Sequence, residues 1–106
     1  MTGPATVLLA DDEPLIRAQL AQTLQLAGLE VIPVASGVEA LNAACAGAPT
    51  PDLVVLDAEL PGLDGHEVAR ILHREAHPVR VLLITKPYRL EDVVRRTQAL
   101  LEQSAA

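Results

Sequence analysis

Aromatic residues are almost absent from this 106-residue chain, because Tyr88 stands alone and there is no phenylalanine or tryptophan. Sites that bind single-stranded nucleic acid stack bases on aromatic rings, so this composition argues against that function. The net charge of −6 also disfavours nonspecific DNA binding, which needs lysine and arginine to neutralise phosphates. We therefore expect no nucleic-acid partner.

Cysteine and long apolar runs are also scarce. Cys45 is the only cysteine, which excludes a disulfide framework and a CxxC metal site; its alanine-rich surroundings predict a buried thiol. No apolar stretch approaches the ~18 residues of a membrane span, and the first residues lack the pattern of a signal peptide. We expect one cytoplasmic domain over residues 1–106, away from membranes, with a loose tail at Gln103–Ala106.

Charge is unevenly distributed along the chain. Residues 1–69 contain ten acidic residues and one basic residue, whereas residues 70–106 contain seven basic and four acidic residues. An acidic first part favours cation binding, and a basic second part favours docking of an acidic partner.

Short apolar runs alternate with helical patterns. The runs are rich in valine, leucine and isoleucine and mostly lack polar alternation, which predicts strands covered on both faces. The predicted strands are Ala5–Ala10, Val31–Val34, Leu53–Leu56 and Val79–Thr85. The order βαβαβαβα predicts an α/β domain with a parallel sheet and helices on both faces.

Local signals mark the predicted helices. Pro14 suits the first turn of the first helix, and Gly28 suits its end. Ser36 and Glu39 have the spacing of a capping box at the start of the second helix. The clearest helical pattern is the apolar stripe of the last helix, which consists of Leu90, Val93, Val94, Thr97, Leu100 and Leu101.

Three carboxylates lie at the ends of predicted strands. Asp11 and Asp12 follow the first strand, and Asp57 follows the third. If these strands are neighbours, the carboxylates converge at the carboxyl edge of the sheet, where open α/β sheets bind ligands. Such a cluster suits Mg²⁺, and one remaining carboxylate can attack phosphorus as a nucleophile. The alternative is that these residues only cap helices.

Two polar residues end the last predicted strand. Lys86 can bring an ammonium group to the same edge and pair with a phosphoryl group, or it can be a solvated turn residue. Thr85 can donate a hydrogen bond to a phosphoryl oxygen, or it can be buried in the strand.

These motifs together resemble the receiver domain of two-component response regulators. The resemblance covers nearly the whole chain and is carried by four segments, at 7–14, Pro51–Asp57, Leu60–Gly65 and Lys86–Tyr88. It implies a flavodoxin-like fold and a phosphoacceptor at Asp57, supplied by a histidine kinase or a histidine phosphotransfer protein.

The resemblance also implies a ligand set for Mg²⁺. Asp12 and Asp57 would bind the ion directly, Asp11 through water, and Glu59 through its backbone carbonyl. Lys86 would contact the phosphoryl group, and the Lys86-Pro87 bond would be cis.

The chain departs from the receiver pattern in one respect. A single strand lies between the third helix and Lys86-Pro87, so one β/α element is missing and four strands are expected instead of five. The surviving strand matches either the family's fourth strand, with Thr85 as its switch hydroxyl, or its fifth, with Leu83 at the position of its switch aromatic. The resulting order, 2-1-3 and then the last strand, leaves an apolar edge, for which we expect self-association.

The leading interpretation is a stand-alone receiver that is not an enzyme and that signals by contact with a downstream protein. One alternative is a receiver-like docking module that works without phosphorylation. Another is a phosphatase of the haloacid dehalogenase type, but Asp57-Ala58-Glu59 lacks the second aspartate that such enzymes use.

Overall fold

The structure, a computed structural model, describes residues 3–46, 50–75 and 79–104. Strands and helices alternate throughout, as the apolar runs and helical stripes predict. In chain order the elements are β1 (Thr6–Ala10), α1 (Pro14–Leu26), β2 (Glu30–Val34), α2 (Gly37–Ala46), β3 (Leu53–Asp57), α3 (Gly65–Arg74), β4 (Arg80–Ile84) and α4 (Leu90–Ser104). Among the described residues, no helix is both long and apolar enough to span a bilayer.

The four strands form one parallel sheet in the order β2-β1-β3-β4. This is the flavodoxin-like order with one β/α element fewer, as expected. The central strands β1 and β3 are buried along their whole length, whereas β2 and β4 at the edges are partly exposed. Burial on both faces explains why the central strands read as continuous apolar runs.

Helices cover both faces of the sheet. On one face, α1 and α4 pack through Leu20, Leu24 and Val93 against the core. On the other face, α2 and α3 pack through Ala40, Ala44 and other buried side chains. The stripe predicted for the last helix therefore faces the core, although the Thr97 hydroxyl is buried there without a hydrogen-bond partner among the described residues.

Most predicted helix boundaries are confirmed. Pro14 occupies the first turn of α1, and Gly28 follows the helix with φ +93°. At the start of α2, Ser36 Oγ accepts the Glu39 amide at 3.2 Å, but the Glu39 carboxylate accepts the amide of Ala35 rather than that of Ser36. The Glu39 carboxylate thus binds the amide one residue before the one that a regular capping box uses.

Three expectations are wrong in detail. The last strand is shorter than Val79–Thr85 and ends at Ile84. Gln103 belongs to α4 rather than to a loose tail, and its side chain accepts a hydrogen bond from Arg80 at 3.1 Å; residues 105 and 106 lie outside the described residues. Cys45 is exposed, because it follows the buried Ala44 onto the outer side of α2.

Candidate functional site

The carboxyl edge of the sheet brings the three predicted carboxylates together. Strands β1 and β3 are direct neighbours, so the residues that follow Ala10 and Leu56 meet at one edge. One carboxylate oxygen each from Asp11, Asp12 and Asp57 lies within 4.8 Å of the other two. Asp11 and Asp57 are fully buried, whereas Asp12 is exposed. The cluster is thus closed toward the sheet and open at Asp12.

The two buried carboxylates are held by the backbone that follows them. Asp57 Oδ1 accepts the amide of Glu59 at 2.9 Å, and Asp11 Oδ1 accepts the amide of Glu13 at 2.9 Å. Each aspartate therefore closes a turn onto the amide two residues on, as aspartates at strand ends often do. This fixes the side chains of both strand ends without using Asp57 Oδ2.

The Lys86 ammonium lies at the centre of this acidic cluster. Its Nζ is 2.8 Å from Asp57 Oδ2, 3.3 Å from Asp11 Oδ1 and 3.6 Å from Asp12 Oδ1, and it also contacts the Glu13 carboxylate. Burial alone would lower the pKa of Lys86, but the carboxylates, Asp57 foremost, hold it above its ordinary value. Lys86 is therefore the cation that offsets the repulsion within the cluster, and not a solvated turn residue.

The early end of β4 explains how Lys86 reaches the cluster. Asp57 pairs in register with Ile84, so Thr85 and Lys86 lie beyond the regular strand and need not alternate between faces. The Lys86-Pro87 peptide bond is cis, as the resemblance implied. Thr85 is exposed and borders an open cleft beside Asp12 and the residues after Asp57, so it is not the buried strand residue of the alternative interpretation.

The sheet also shows where β4, the last strand, lies. It lies beside β3, in the fourth place, and Leu83 faces the α2 and α3 side of the sheet. The chain then continues directly through Lys86-Pro87 into α4, which packs on the same face as α1. The strand thus has the sheet position expected of a fourth strand and the chain connection expected of a fifth.

The loop after Asp57 is shaped by two glycines. Gly62 has φ +74°, a conformation that favours glycine. At Gly65, the first residue of α3, an added Cβ would lie 2.3 Å from the Asp57 carbonyl oxygen. Asp64 and Glu67 form a complete capping box at this helix start. Together these residues hold α3 directly against the end of β3.

Three contacts at the site were not predicted from the sequence. Glu13 contacts Lys86, and the Tyr88 hydroxyl donates a hydrogen bond to Asp11 Oδ2 at 3.0 Å. Burial first, and the Asp11 charge second, raise the pKa of Tyr88. Arg17 Nη1 donates to the Asp11 carbonyl at 2.7 Å. The sequence offers two signals for these contacts, the acidic run Asp11-Asp12-Glu13 and the position of Tyr88 close to Lys86-Pro87. Neither signal identifies the residue that each side chain contacts.

One predicted site residue, Glu59, is placed only in part. Glu59 is exposed and borders the cleft with Thr85; the role expected of its carbonyl stays a prediction. His66 lines the same cleft, whereas His73 lies on the exposed side of α3 and His77 falls outside the described residues.

Comparison with known families shows which family the chain belongs to. The family model described as the response regulator receiver domain matches residues 7–103. The chain belongs to the response regulator receiver family. Its fold, its strand order and the acidic cluster at the carboxyl edge agree with this membership. The phosphatase alternative is not supported.

Curated relatives of this receiver are longer proteins. It is 38% identical over 95 residues to protein-glutamate methylesterase/protein-glutamine glutaminase 3 of Hahella chejuensis, covering 89% of this chain and 26% of that protein. It is 43% identical over 79 residues to the C4-dicarboxylate transport transcriptional regulatory protein DctD of Pseudomonas aeruginosa, covering 74% of this chain and 17% of DctD.

A third relative bears on the missing element. The transcriptional regulatory protein TcrX of Mycobacterium tuberculosis is 32% identical over 122 residues, covering 95% of this chain and 51% of TcrX. The alignment is longer than the 106 residues of this receiver. The relative therefore carries residues that this chain lacks, in agreement with a shortened receiver.

Solved receiver domains share the fold. The signal receiver domain of NarL from Mycobacterium tuberculosis superimposes with a TM-score of 0.85 at 25% identity, covering 95% of this chain and 98% of that one. The chemotaxis protein CheY4 of Vibrio cholerae gives a TM-score of 0.77 at 25% identity, covering 92% and 98%.

The acidic cluster fits the Mg²⁺ that receiver domains bind. Carboxylate oxygens are the ligands that Mg²⁺ prefers, and three aspartates supply them within 4.8 Å. Asp57 Oδ2 is buried and has no hydrogen bond of regular geometry; its close neighbour is the Lys86 ammonium. Apart from the Glu59 amide on Oδ1, no regular hydrogen bond uses the Asp57 carboxylate within the described residues, so this carboxylate keeps lone pairs for a metal ion.

Proposed function

We propose that this receiver accepts a phosphoryl group on Asp57 in a Mg²⁺-dependent reaction, from a histidine kinase or a histidine phosphotransfer protein. The observation that carries the proposal is the placement of Asp11, Asp12 and Asp57 around the Lys86 ammonium at the carboxyl edge of the sheet. The family membership supports it, because phosphorylation and Mg²⁺ are typical of receivers.

Asp57 is the nucleophile in this proposal. One of its carboxylate oxygens forms a bond to phosphorus, the bond from phosphorus to the donor's histidine nitrogen breaks, and the electron pair stays on that nitrogen. The Glu59 amide holds Oδ1, so Oδ2 is the oxygen that the protein leaves for attack. Because Lys86 covers Oδ2, the ammonium has to move toward the incoming phosphoryl oxygens, which it then pairs with.

The proposed metal ligands are those that the resemblance to receiver domains implies. Asp12 and Asp57 would hold Mg²⁺ directly, Asp11 would act through water, and Glu59 would contribute its backbone carbonyl. The ion would supply positive charge that offsets the charge on the phosphoryl oxygens. Both oxygens of Asp11 already accept hydrogen bonds, from the Glu13 amide and from Tyr88, which suits a residue that acts through water. The exposed Thr85 hydroxyl contributes a hydrogen bond to the phosphoryl group at the cleft.

The direct test is labelling by acetyl phosphate. Wild-type protein incubated with acetyl phosphate and Mg²⁺ should gain the mass of one phosphoryl group in an intact-mass measurement, and it should gain nothing in EDTA. Glu59→Gln, which keeps the backbone carbonyl, should label like wild type. If wild-type protein takes up no label, the phosphorylation-independent docking module is the better account.

The kinase-facing surface is proposed to include the start of α1. Leu15 lies in the first turn of α1, next to the acidic cluster, and its side chain is 71% exposed. Leu26 is 82% exposed at the far end of the same helix and provides a matched control. Leu15→Ser should slow transfer from a phosphorylated kinase by about tenfold, because an apolar contact is lost. Leu26→Ser should not, and neither variant should change labelling by acetyl phosphate.

The proposed output is contact with a downstream protein, without catalysis on a substrate of its own and without nucleic-acid binding. The proposed compartment is the cytoplasm, where the ATP that charges histidine kinases is present. The chain spans 17% to 51% of the three curated relatives described above, so the activities of those whole proteins are not carried over.

A further inference from the structure

The outer edge of β4 presents backbone groups that no strand pairs with in the described part of the chain. Ile84 accepts the Ala58 amide through its carbonyl at 2.8 Å, so the main-chain groups of Ile84 point toward β3. Neighbouring residues of a strand point their main-chain groups to opposite sides, so residues two positions apart point to the same side. Leu82, two residues before Ile84, therefore also pairs with β3. Val81 and Leu83 therefore direct their N–H and C=O groups outward, where a further strand would add.

Apolar grooves flank this edge on both faces of the sheet. On one face, Val81 forms a groove with Ala69 and Leu72 of α3. On the other face, the edge strand forms a groove with Ala99 of α4. Val81 and Leu83 are themselves only partly buried. An added strand would therefore place its alternate side chains against apolar surface on both faces.

The ionisable side chains that line the two grooves are all basic. Arg70 and His73 line the groove on the α3 side, and Arg96 lines the groove on the α4 side. No carboxylate lines either groove, and neither arginine forms an ion pair within residues 3–46, 50–75 and 79–104. This basic edge belongs to the part of the chain that carries seven basic and four acidic residues.

We infer that the β4 edge binds an extended acidic segment of a partner protein as a fifth strand. Val81 and Leu83 supply main-chain hydrogen bonds, the grooves take apolar side chains, and Arg70 and Arg96 pair with carboxylates. Charge complementarity selects this occupant over a second copy of the chain, because two copies paired along this edge would bring the same arginines together. The inference does not rest on phosphorylation, because the edge lies outside the acidic cluster.

The probe is a labelled nine-residue peptide in which two glutamates and two valines follow each other in turn, so that each face of the added strand carries both residue types. It is added to the full chain in EDTA without a phosphodonor. We expect binding that weakens as salt rises, and no binding of the matched peptide with lysine in place of glutamate. The double variant Arg70→Glu with Arg96→Glu should weaken binding by about tenfold at low salt. Arg74→Glu, an exposed charge reversal on α3 outside both grooves, should bind like wild type.

Amide hydrogen exchange identifies the edge itself. The acidic peptide should slow exchange at Val81 and Leu83 and leave Leu82 and Ile84 unchanged, since the latter two already pair with β3. Equal binding of both peptides, no binding of the acidic one, or binding without protection at Val81 and Leu83 would overturn the inference. Protection of these two amides in the protein alone, with a dimer in sedimentation, would assign the edge to a second copy instead.

Discussion

Replacing Lys86 with methionine tests whether its ammonium offsets the repulsion among the carboxylates. Methionine keeps an unbranched side chain of similar length and removes the charge. Removing one partner of a buried ion pair costs about 3–5 kcal/mol, because the other charge stays buried without compensation. The Lys86 side chain is 23% exposed and Asp12 opens to solvent, so water screens part of this cost. We expect the free energy of unfolding to fall by about 2–3 kcal/mol.

The assay is thermal unfolding in EDTA and in Mg²⁺. For a domain of this size, the expected loss lowers Tm by about 8–15 °C in EDTA. The ammonium and Mg²⁺ compete for the same oxygens, so the variant should bind Mg²⁺ more tightly and gain more stability from it than wild type does. Arg74→Met, which removes an exposed charge on α3, should change neither quantity. The reasoning is refuted if Lys86→Met matches Arg74→Met in EDTA, or if Mg²⁺ stabilises both variants equally.

Three further outcomes are expected. Thr97→Val replaces a buried hydroxyl that lacks a hydrogen-bond partner among the described residues, so it should raise the free energy of unfolding by about 1 kcal/mol in chemical denaturation. The control Thr23→Val removes a hydrogen bond to the Gln19 carbonyl and should not raise the free energy of unfolding. Tyr88 is the only aromatic residue and donates to Asp11, so its fluorescence should change on titration with Mg²⁺ and not with Na⁺ at equal ionic strength. Folding raises the pKa of Tyr88 above its ordinary 10.0, so the unfolded chain loses this proton at a lower pH than the folded chain. The free energy of unfolding should therefore fall as pH rises above about 10, and it should fall less steeply in Tyr88→Phe. Denaturant unfolding at each pH measures this difference.

The fold and the acidic cluster follow directly from patterns that the sequence displays. The central strands read as apolar runs because both of their faces are buried. The convergence of Asp11, Asp12 and Asp57 needs only that β1 and β3 be neighbours, which the parallel order supplies. These features depend on periodicity and topology, so they could be predicted.

Side-chain contacts between distant segments could not be predicted in the same way. The position of Lys86 depends on β4 ending at Ile84, and a difference of one residue would turn its side chain to the other face. The contacts of Glu13 and Tyr88 join residues more than 70 positions apart, for which sequence spacing carries no information. The exposure of Cys45 likewise depends on the rotation of α2, which an alanine-rich helix leaves weakly specified.

The capping box at Asp64 and Glu67 is a different case. Its spacing, an acidic residue followed three positions later by glutamate, is visible in the sequence, but it is not among the helix signals named above. The box matters for the site because it starts α3 directly beside Asp57.

The most direct test of the central claim is to locate the phosphoryl group after labelling with acetyl phosphate and Mg²⁺. Borohydride reduces an aspartyl phosphate to homoserine, so peptide mapping of the reduced protein identifies the modified residue. We predict homoserine at position 57, with Asp57→Asn unlabelled. Homoserine at Asp11, Asp12 or another carboxylate in wild-type protein would contradict the assignment of Asp57 as the phosphoacceptor.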